Sequence, residues 1–334
     1  MCQLAPLTRC LVPIALLFAA CASAPPRPPV TPGVVVVFEG TCDASGAVAL
    51  DDHRFAVADD ENNVLRVYDA ERGGLPLWSH DLTVELELGP AAEREVDLEA
   101  AASIGDRAFW LSSHGRTKQG GRVRSRLMLF ATDLPHDDPE MELEGRVYRT
   151  LLRDLLADPR YQRFKLAEAA QRAPQEPGGL NIEGMTETPD GRLLLGMRNP
   201  IPEGRALFAV ILNPLELAED EGAVQRARLG DPFTLDLDGR GVRGLALWHG
   251  EYLILGGSYT HQVETQLFHW DGKGDPRRVE VDLLDFNPET FFTAEARKEI
   301  MILSDDGEVE IDGALCKKLR DPAKKRFRGI WVRP

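Results

Sequence analysis

Five times along this 334-residue chain the same pattern recurs: a polar start, a small-residue run, a turn, and an apolar run ending in polar residues. The copies occupy residues 43–49 with 54–60, 97–102 with 107–113, 181–186 with 192–198, 241–246 with 251–257, and 287–292 with 299–305. A further apolar strand follows in four of them, at 64–68, 127–130, 207–212 and 266–270. A single hairpin cannot bury its apolar face, so such units must stack on one another. Units of three or four strands that close radially, protecting their sheet edges, make a β-propeller. Measured from Ser45, Glu99, Glu183, Arg243 and Glu289, the steps are 54, 84, 60 and 46 residues. Three are near the length of one blade, and the long one contains an insertion. The expected fold is all-β: a propeller of five blades, or six if the insertion hides a degenerate one.

The insertion, near 144–172, changes period. Val147, Leu151, Leu152, Leu155 and Leu156 recur at helical spacing and Pro159 follows, which predicts one or two helices between blades two and three. They are read as a decoration on the rim, with a cap over one face as the alternative. The run 34–38, four valines and a phenylalanine, is expected to be buried and to close the ring by joining the last blade near 327–332.

The first residues set the compartment. Arg9 precedes an apolar run at 11–20, too short to span a bilayer but suited to a signal-peptide core. Leu17-Phe18-Ala19-Ala20-Cys21 resembles the bacterial lipobox, which implies lipidation of Cys21; ordinary cleavage after Ala22 or Ala24 is the alternative. The expected organisation is a signal peptide at 1–20, a tether at 21–33, and a propeller domain at 34–334. The prolines of the tether favour a semi-rigid extended spacer. Ala22, where an aspartate would imply retention at the inner membrane, points to the outer membrane. The expected product is an exported, monomeric lipoprotein facing the periplasm or the cell surface.

A formal charge of −15 repels nucleic acid and favours cations or basic partners. The basic stretch 317–328 reads as a solvated edge. Of five cysteines, only Cys42 and Cys316 lie in the propeller domain. In an oxidising compartment they can pair.

Several blocks carry a resemblance: Glu39-Gly40-Thr41-Cys42-Asp43-Ala44-Ser45, Asp97-Leu98-Glu99-Ala100, Ser112-Ser113-His114-Gly115-Arg116, and Asn181-Ile182-Glu183-Gly184-Met185 with Gly196-Met197-Arg198-Asn199-Pro200. Together they resemble the bacterial domain-of-unknown-function family numbered 3616, over nearly everything after the tether. That resemblance implies no activity. The Asn-Ile-Glu-Gly and Arg-Asn-Pro blocks are also similar to esterase-like phytase propeller domains, over one blade, which implies calcium and phosphoesters.

The repeat locates a working face, because the start of each first strand and the end of each second strand share one face of the disc. Side chains alternate along a strand, which pairs Asp43 with Ser45, Asp97 with Glu99, Asn181 with Glu183, and Asn287 with Glu289, with Arg243 in the equivalent place of blade four. Hard cations such as calcium take six to eight oxygens, as clustered carboxylates and amides supply. Glu99, Glu183, Glu289, Asp43 and Asp97 are the candidate metal ligands. Arg198, Asn199, Arg243, His114 and Arg116 are the candidate ligand-binding residues. Water, or pairing with Arg198 and Arg243, would satisfy the same carboxylates. Gly239-Arg240-Gly241-Val242-Arg243-Gly244 fits a dinucleotide pattern but precedes a strand, so it is rejected. Gly256-Gly257-Ser258-Tyr259-Thr260 lacks the last glycine of a nucleophile elbow.

Three functions follow: binding of a small anionic or polar ligand at the channel mouth, with or without a bridging divalent cation; metal-dependent phosphoester hydrolysis; or a protein-interaction scaffold of the cell envelope.

Overall fold

The computed structural model describes residues 33–90, 95–135, 138–219, 225–260, 264–294 and 296–334. The expected signal peptide at 1–20, Cys21 and the expected tether up to residue 32 lie outside the described residues. No described helix is long and apolar enough to cross a membrane.

Five antiparallel four-stranded sheets form the ring. From the axis outward, blade one is Gly46–Ala49, Arg54–Ala58, Val64–Asp69 and Trp78–Asp81. Blade two is Leu98–Ile104, Arg107–Ser112, Leu129–Asp133 and Leu143–Tyr148. Blade three is Asn181–Glu187, Leu193–Asn199, Ala206–Ile211 and Phe233–Leu235. Blade four is Gly241–Trp248, Glu251–Gly257, Gln266–Trp270 and Arg277–Val279. Blade five is Pro288–Thr293, Ile300–Ser304, Arg326–Val332 and, outermost, Val35–Glu39. The N-terminal strand therefore closes the ring, with Val35 opposite Ile330 and Glu39 opposite Arg326; contrary to expectation only Val36 and Phe38 of the run 34–38 are buried, because an outermost strand has one covered face.

The core lies between blades rather than inside them. Five apolar layers separate the five pairs of neighbours. At the seam between blades five and one, Phe38 stacks on Phe327 at 5.0 Å and meets Phe55 edge-on at 5.1 Å. Cys42 and Cys316 form a disulfide at the same seam, with Cα atoms 5.9 Å apart. Small residues face the axis because the inner strands approach closely: a Cβ on Gly184 would stand 2.5 Å from Val242 Cγ1.

The insertion starts later than its periodicity suggests. Residues 144–148, Val147 included, belong to the outermost strand of blade two, where pairing with Leu129–Asp133 outweighs a helical repeat of apolar residues. The helix Leu151–Ala157 follows, then Pro159–Phe164 and Leu166–Ala169. Leu151, Leu155, Tyr161 and Leu166 are buried in the layer between blades two and three, so these helices decorate the rim. Each such buried side chain contributes about 1.5–3 kcal/mol. The segment after them does something else: it crosses to the channel mouth.

Candidate functional site at the channel mouth

The inner strands of blades two to five share an irregularity. In each, one extra residue interrupts the pairing with the second strand, and that residue is Glu99, Glu183, Arg243 or Glu289. Blade one pairs regularly from Gly46 to Ala49. A β-bulge leaves its residue out of the ladder and re-aims the side chain. Here it turns three glutamates and an arginine toward one place. A carboxylate oxygen of each of Glu99, Glu183 and Glu289 lies within 4.8 Å of the other two. All three side chains are buried.

Two arginines bridge this cluster. Arg198 Nη1 donates to Glu183 Oε1 at 2.6 Å, and its Nε donates to Ser258 O at 3.1 Å. Arg243 Nη2 donates to Glu289, while its Nε stands 3.7 Å from Glu183 Oε2. Asn181 Nδ2 also donates to Glu183, at 2.7 Å. Glu99 makes no hydrogen bond or ion pair among the described residues. Burial, followed by the neighbouring Glu183 and Asp97, raises its carboxyl well above the usual range.

Around the glutamates lies a cavity of about 90 Å³ lined by seven carboxylates (Asp43, Asp60, Asp97, Glu99, Glu183, Glu289, Asp305) and four cations (Lys118, Arg126, Arg198, Arg243). The excess is acidic. Burial and the surrounding carboxylates push Asp60 up to about 8 and raise Asp43 well above normal. Asp97 is pushed up to about 6 by burial, against the pull of Arg126, whose Nη1 donates to it at 2.8 Å. Four buried acceptor oxygens that line the cavity receive no hydrogen bond: Asp43 Oδ1, Asp60 Oδ1, Asn181 Oδ1 and Glu183 Oε2. Two buried donors of the lining residues, Arg126 Nε and Arg243 Nε, make no hydrogen bond either. Buried polar atoms are ordinarily paired, so this wall is matched to a polar group that can meet both kinds, or to a cation at the acceptor oxygens. Outward the mouth opens into a vestibule of about 470 Å³ whose wall includes Asp59, Glu61, Glu308 and Lys317.

All five sequence-derived metal candidates line this cavity, as do Arg198 and Arg243. The other three ligand-binding candidates do not. His114 Nδ1 donates to Ser112 O at 2.8 Å, and burial depresses its ring to about 4. Asn199 Nδ2 holds Pro174 O and Glu176 O, both at 2.8 Å. Arg116 holds Ala170 O at 2.9 Å and Gln171 Oε1 at 2.6 Å. These contacts pin the tail of the insertion, which places Pro174 and Gln175 on the cavity wall. Asp97 and His114 both adopt left-handed backbone, at φ 58° and 57°, a conformation that costs L residues energy and concentrates at functional sites. Arg126, Lys118, Pro174 and Gln175 escaped the sequence reading because they sit in loops outside the repeat.

Fold and site together define a class: a five-bladed β-propeller with an acidic, arginine-bridged channel mouth. The model of a protein family of unknown function, DUF3616, matches this chain over residues 137–290, a span that includes Glu183, Arg198, Arg243 and Glu289 but not Glu99. No curated protein matches the chain. Among solved structures, the glutaminyl cyclase of Myxococcus xanthus is 12% identical, with a TM-score of 0.46 over 92% of this chain and 99% of its own. A putative oxidoreductase (glucose dehydrogenase) of Thermus thermophilus is 13% identical, with a TM-score of 0.42 over 89% of this chain and 100% of its own. The β-propeller domain of Cps50 (Swd1) from Myceliophthora thermophila is 10% identical, with a TM-score of 0.39 over 90% and 99%. Likeness at this level concerns fold and says nothing of activity; the five-bladed ring itself rests on the strand pairing.

Proposed function

We propose that this protein is a lipid-anchored propeller of the cell envelope whose channel mouth binds a small polar ligand through a divalent cation, with calcium as the best fit. The observation that carries the reading is the convergence of Glu99, Glu183 and Glu289 from three blades onto one point. Oxygen ligands stand about 2.3–2.6 Å from calcium, so two ligands of one ion are separated by at most about 5 Å. The spacing of the three carboxylates meets that limit. Glu99, without a partner, and the unpaired oxygens of Asp43, Asp60 and Asn181 are the remaining donors on offer. The donor set is all oxygen, which favours a hard cation over zinc or copper.

The alternative as a phosphoesterase needs arginines free to grip a phosphate. Arg198 and Arg243 are instead engaged with Glu183 and Glu289, so the observations favour binding over hydrolysis.

Calorimetric titration with calcium chloride tests the site. One ion should bind per chain, and Glu99→Gln should weaken binding at least tenfold. Absence of heat and of any spectroscopic change with calcium, magnesium and manganese would overturn the reading. The anchor is tested apart: Cys21→Ser should move the protein from the membrane fraction to the soluble fraction.

A further inference from the structure

The N-terminal strand that closes the ring carries a second surface. Val35 and Val37 alternate with buried Val36 and Phe38 and turn outward. Val34 is 80% exposed at the start of the strand, and Leu75 and Leu77 are exposed near its Glu39–Gly40 end, where Phe38 bridges Gly74 in parallel. Residues 73–77 run along the outer edge of this strand: Gly74 N donates to Val37 O, and Glu39 N donates to Gly74 O, both at 2.8 Å. Five of the nine large apolar side chains exposed among the described residues therefore lie along this strand and the segment beside it. Isolated exposed aliphatics are ordinary, but a gathered patch marks a contact surface.

At the other end of the same strand lies the basic stretch of an otherwise acidic chain. Arg326 is the register partner of Glu39, and Lys325 O accepts from Gly40 N. Lys318, Arg320, Lys325 and Arg326 enter no ion pair among the described residues. The rim of blade five thus offers aliphatic side chains and cations together, with Glu39 and Asp312 beside Lys325 and Arg326, and the chain upstream of Gly33 leaves from the end opposite those cations.

We infer that the rim of blade five, through Val34, Val35, Val37, Leu75 and Leu77 with Lys325 and Arg326, lies against an anionic lipid bilayer. The inference rests on the reading that Cys21 is the anchor. Cys21 stands twelve residues before Gly33 in the chain. Fully extended, at about 3.3–3.6 Å per residue, those residues span at most about 40 Å, so this edge is the part of the described structure tethered directly to the anchor. Apolar side chains entering the headgroup boundary and cations meeting anionic lipid reinforce each other at an interface. A second copy of the chain fits less well. Strand addition needs a run of free edge groups, and Gly74 takes Val37 O and Glu39 N, which leaves only the short part of the edge before them. Docked in this way the disc stands on its rim, and both the acidic mouth and the opposite basin of about 760 Å³ stay open to solvent.

The test uses the full chain as isolated from membranes, carried in phosphatidylcholine vesicles with or without phosphatidylglycerol. Hydrogen–deuterium exchange is followed in segments 34–39 and 73–78. Exchange there should slow about fivefold or more in the anionic vesicles, the effect of one cation near such a surface. The double variant Lys325→Glu, Arg326→Glu should return it to the phosphatidylcholine level. Equal exchange in both vesicles overturns the inference. So does protection that grows with protein concentration in detergent alone, which would show a second copy on this rim. The intact mass of the mature N-terminus reports the anchor separately, so the failure of one claim is distinguishable from the failure of the other.

Discussion

Arg243 reaches from the bulge of blade four to the bulge of blade five, where its Nη2 donates to Glu289. Both side chains are at least nine-tenths buried. Two consecutive blades are thus joined by an ion pair at the same structural position, and Glu99 faces them with no hydrogen bond or ion pair of its own among the described residues. Breaking one partner of a buried pair exposes the other to the full cost of desolvation, about 3–5 kcal/mol. Arg243→Ala is expected to lose that much in chemical denaturation. Arg243→Ala with Glu289→Gln should recover part of it. The single variant also gains a carboxylate excess, so calcium should stabilise it more than it stabilises the wild type. Equal stability of wild type and Arg243→Ala would show that the pair contributes nothing.

Glu99 has no partner to orphan. Glu99→Gln should therefore leave the fold intact, or raise its melting temperature in the presence of a chelator, by removing one carboxylate from a crowded site. In the wild type, calcium at a hundredfold excess over its dissociation constant stabilises by about 2.7 kcal/mol through mass action. The variant should show little of this gain. Differential scanning calorimetry with calcium or with chelator reads both effects. A calcium response of the same size in Glu99→Gln would remove Glu99 from the site.

The pH dependence has a defined sign. Asp60 is held protonated in the folded state up to about 8, chiefly by burial and then by Asp59 and Asp97. Asp43 and Glu99 are raised as well. A carboxyl with a raised folded-state pKa binds more protons folded than unfolded. Its stabilising effect is therefore lost as pH rises toward that value. His114 has the opposite effect, but only between about 4 and 6.5. Above that window His114 adds no slope. Without divalent ions, the melting temperature should fall between pH 6.5 and 8, and Asp60→Asn should flatten the slope. Calcium should also flatten it, because the ion replaces the proton as the partner of the charge. A melting temperature that rises over this range would contradict the assignment.

The Cys42–Cys316 disulfide joins residues 274 positions apart in sequence, across the seam that the N-terminal strand closes. Cross-linking so long a loop removes about 5 kcal/mol of chain entropy from the unfolded state, as an upper figure. The Cys42→Ser, Cys316→Ser double variant should unfold at lower denaturant concentration than the wild type. Reductant should shift the wild type by the same amount and leave the variant unchanged. Two free thiols in the unreduced, denatured wild type would exclude the bond.

The repeat, its phase and its closure are legible in the chain itself. Small residues at fixed places in five hairpins can line only a narrow axis, and the valine-rich start has no sheet to join except the last. The polar starts of those hairpins were visible too, and with them Glu99, Glu183, Arg243 and Glu289. Their convergence was not. Strand alternation alone predicts that each points along a regular pleat, whereas one extra residue per inner strand takes each out of the ladder. A bulge depends on the register of two paired strands, and single-strand periodicity does not contain that register. The same holds for the mouth's outer wall. Arg126, Gln175 and Pro174 come from segments without a repeat; Arg126 is drawn to the cavity by Asp97 and Glu95, and Pro174 and Gln175 reach it because backbone carbonyls near residue 174 meet Asn199 across the fold. Local sequence determined which side chains face the axis; the pairing between strands and blades decided which of them meet, and which are left without a partner.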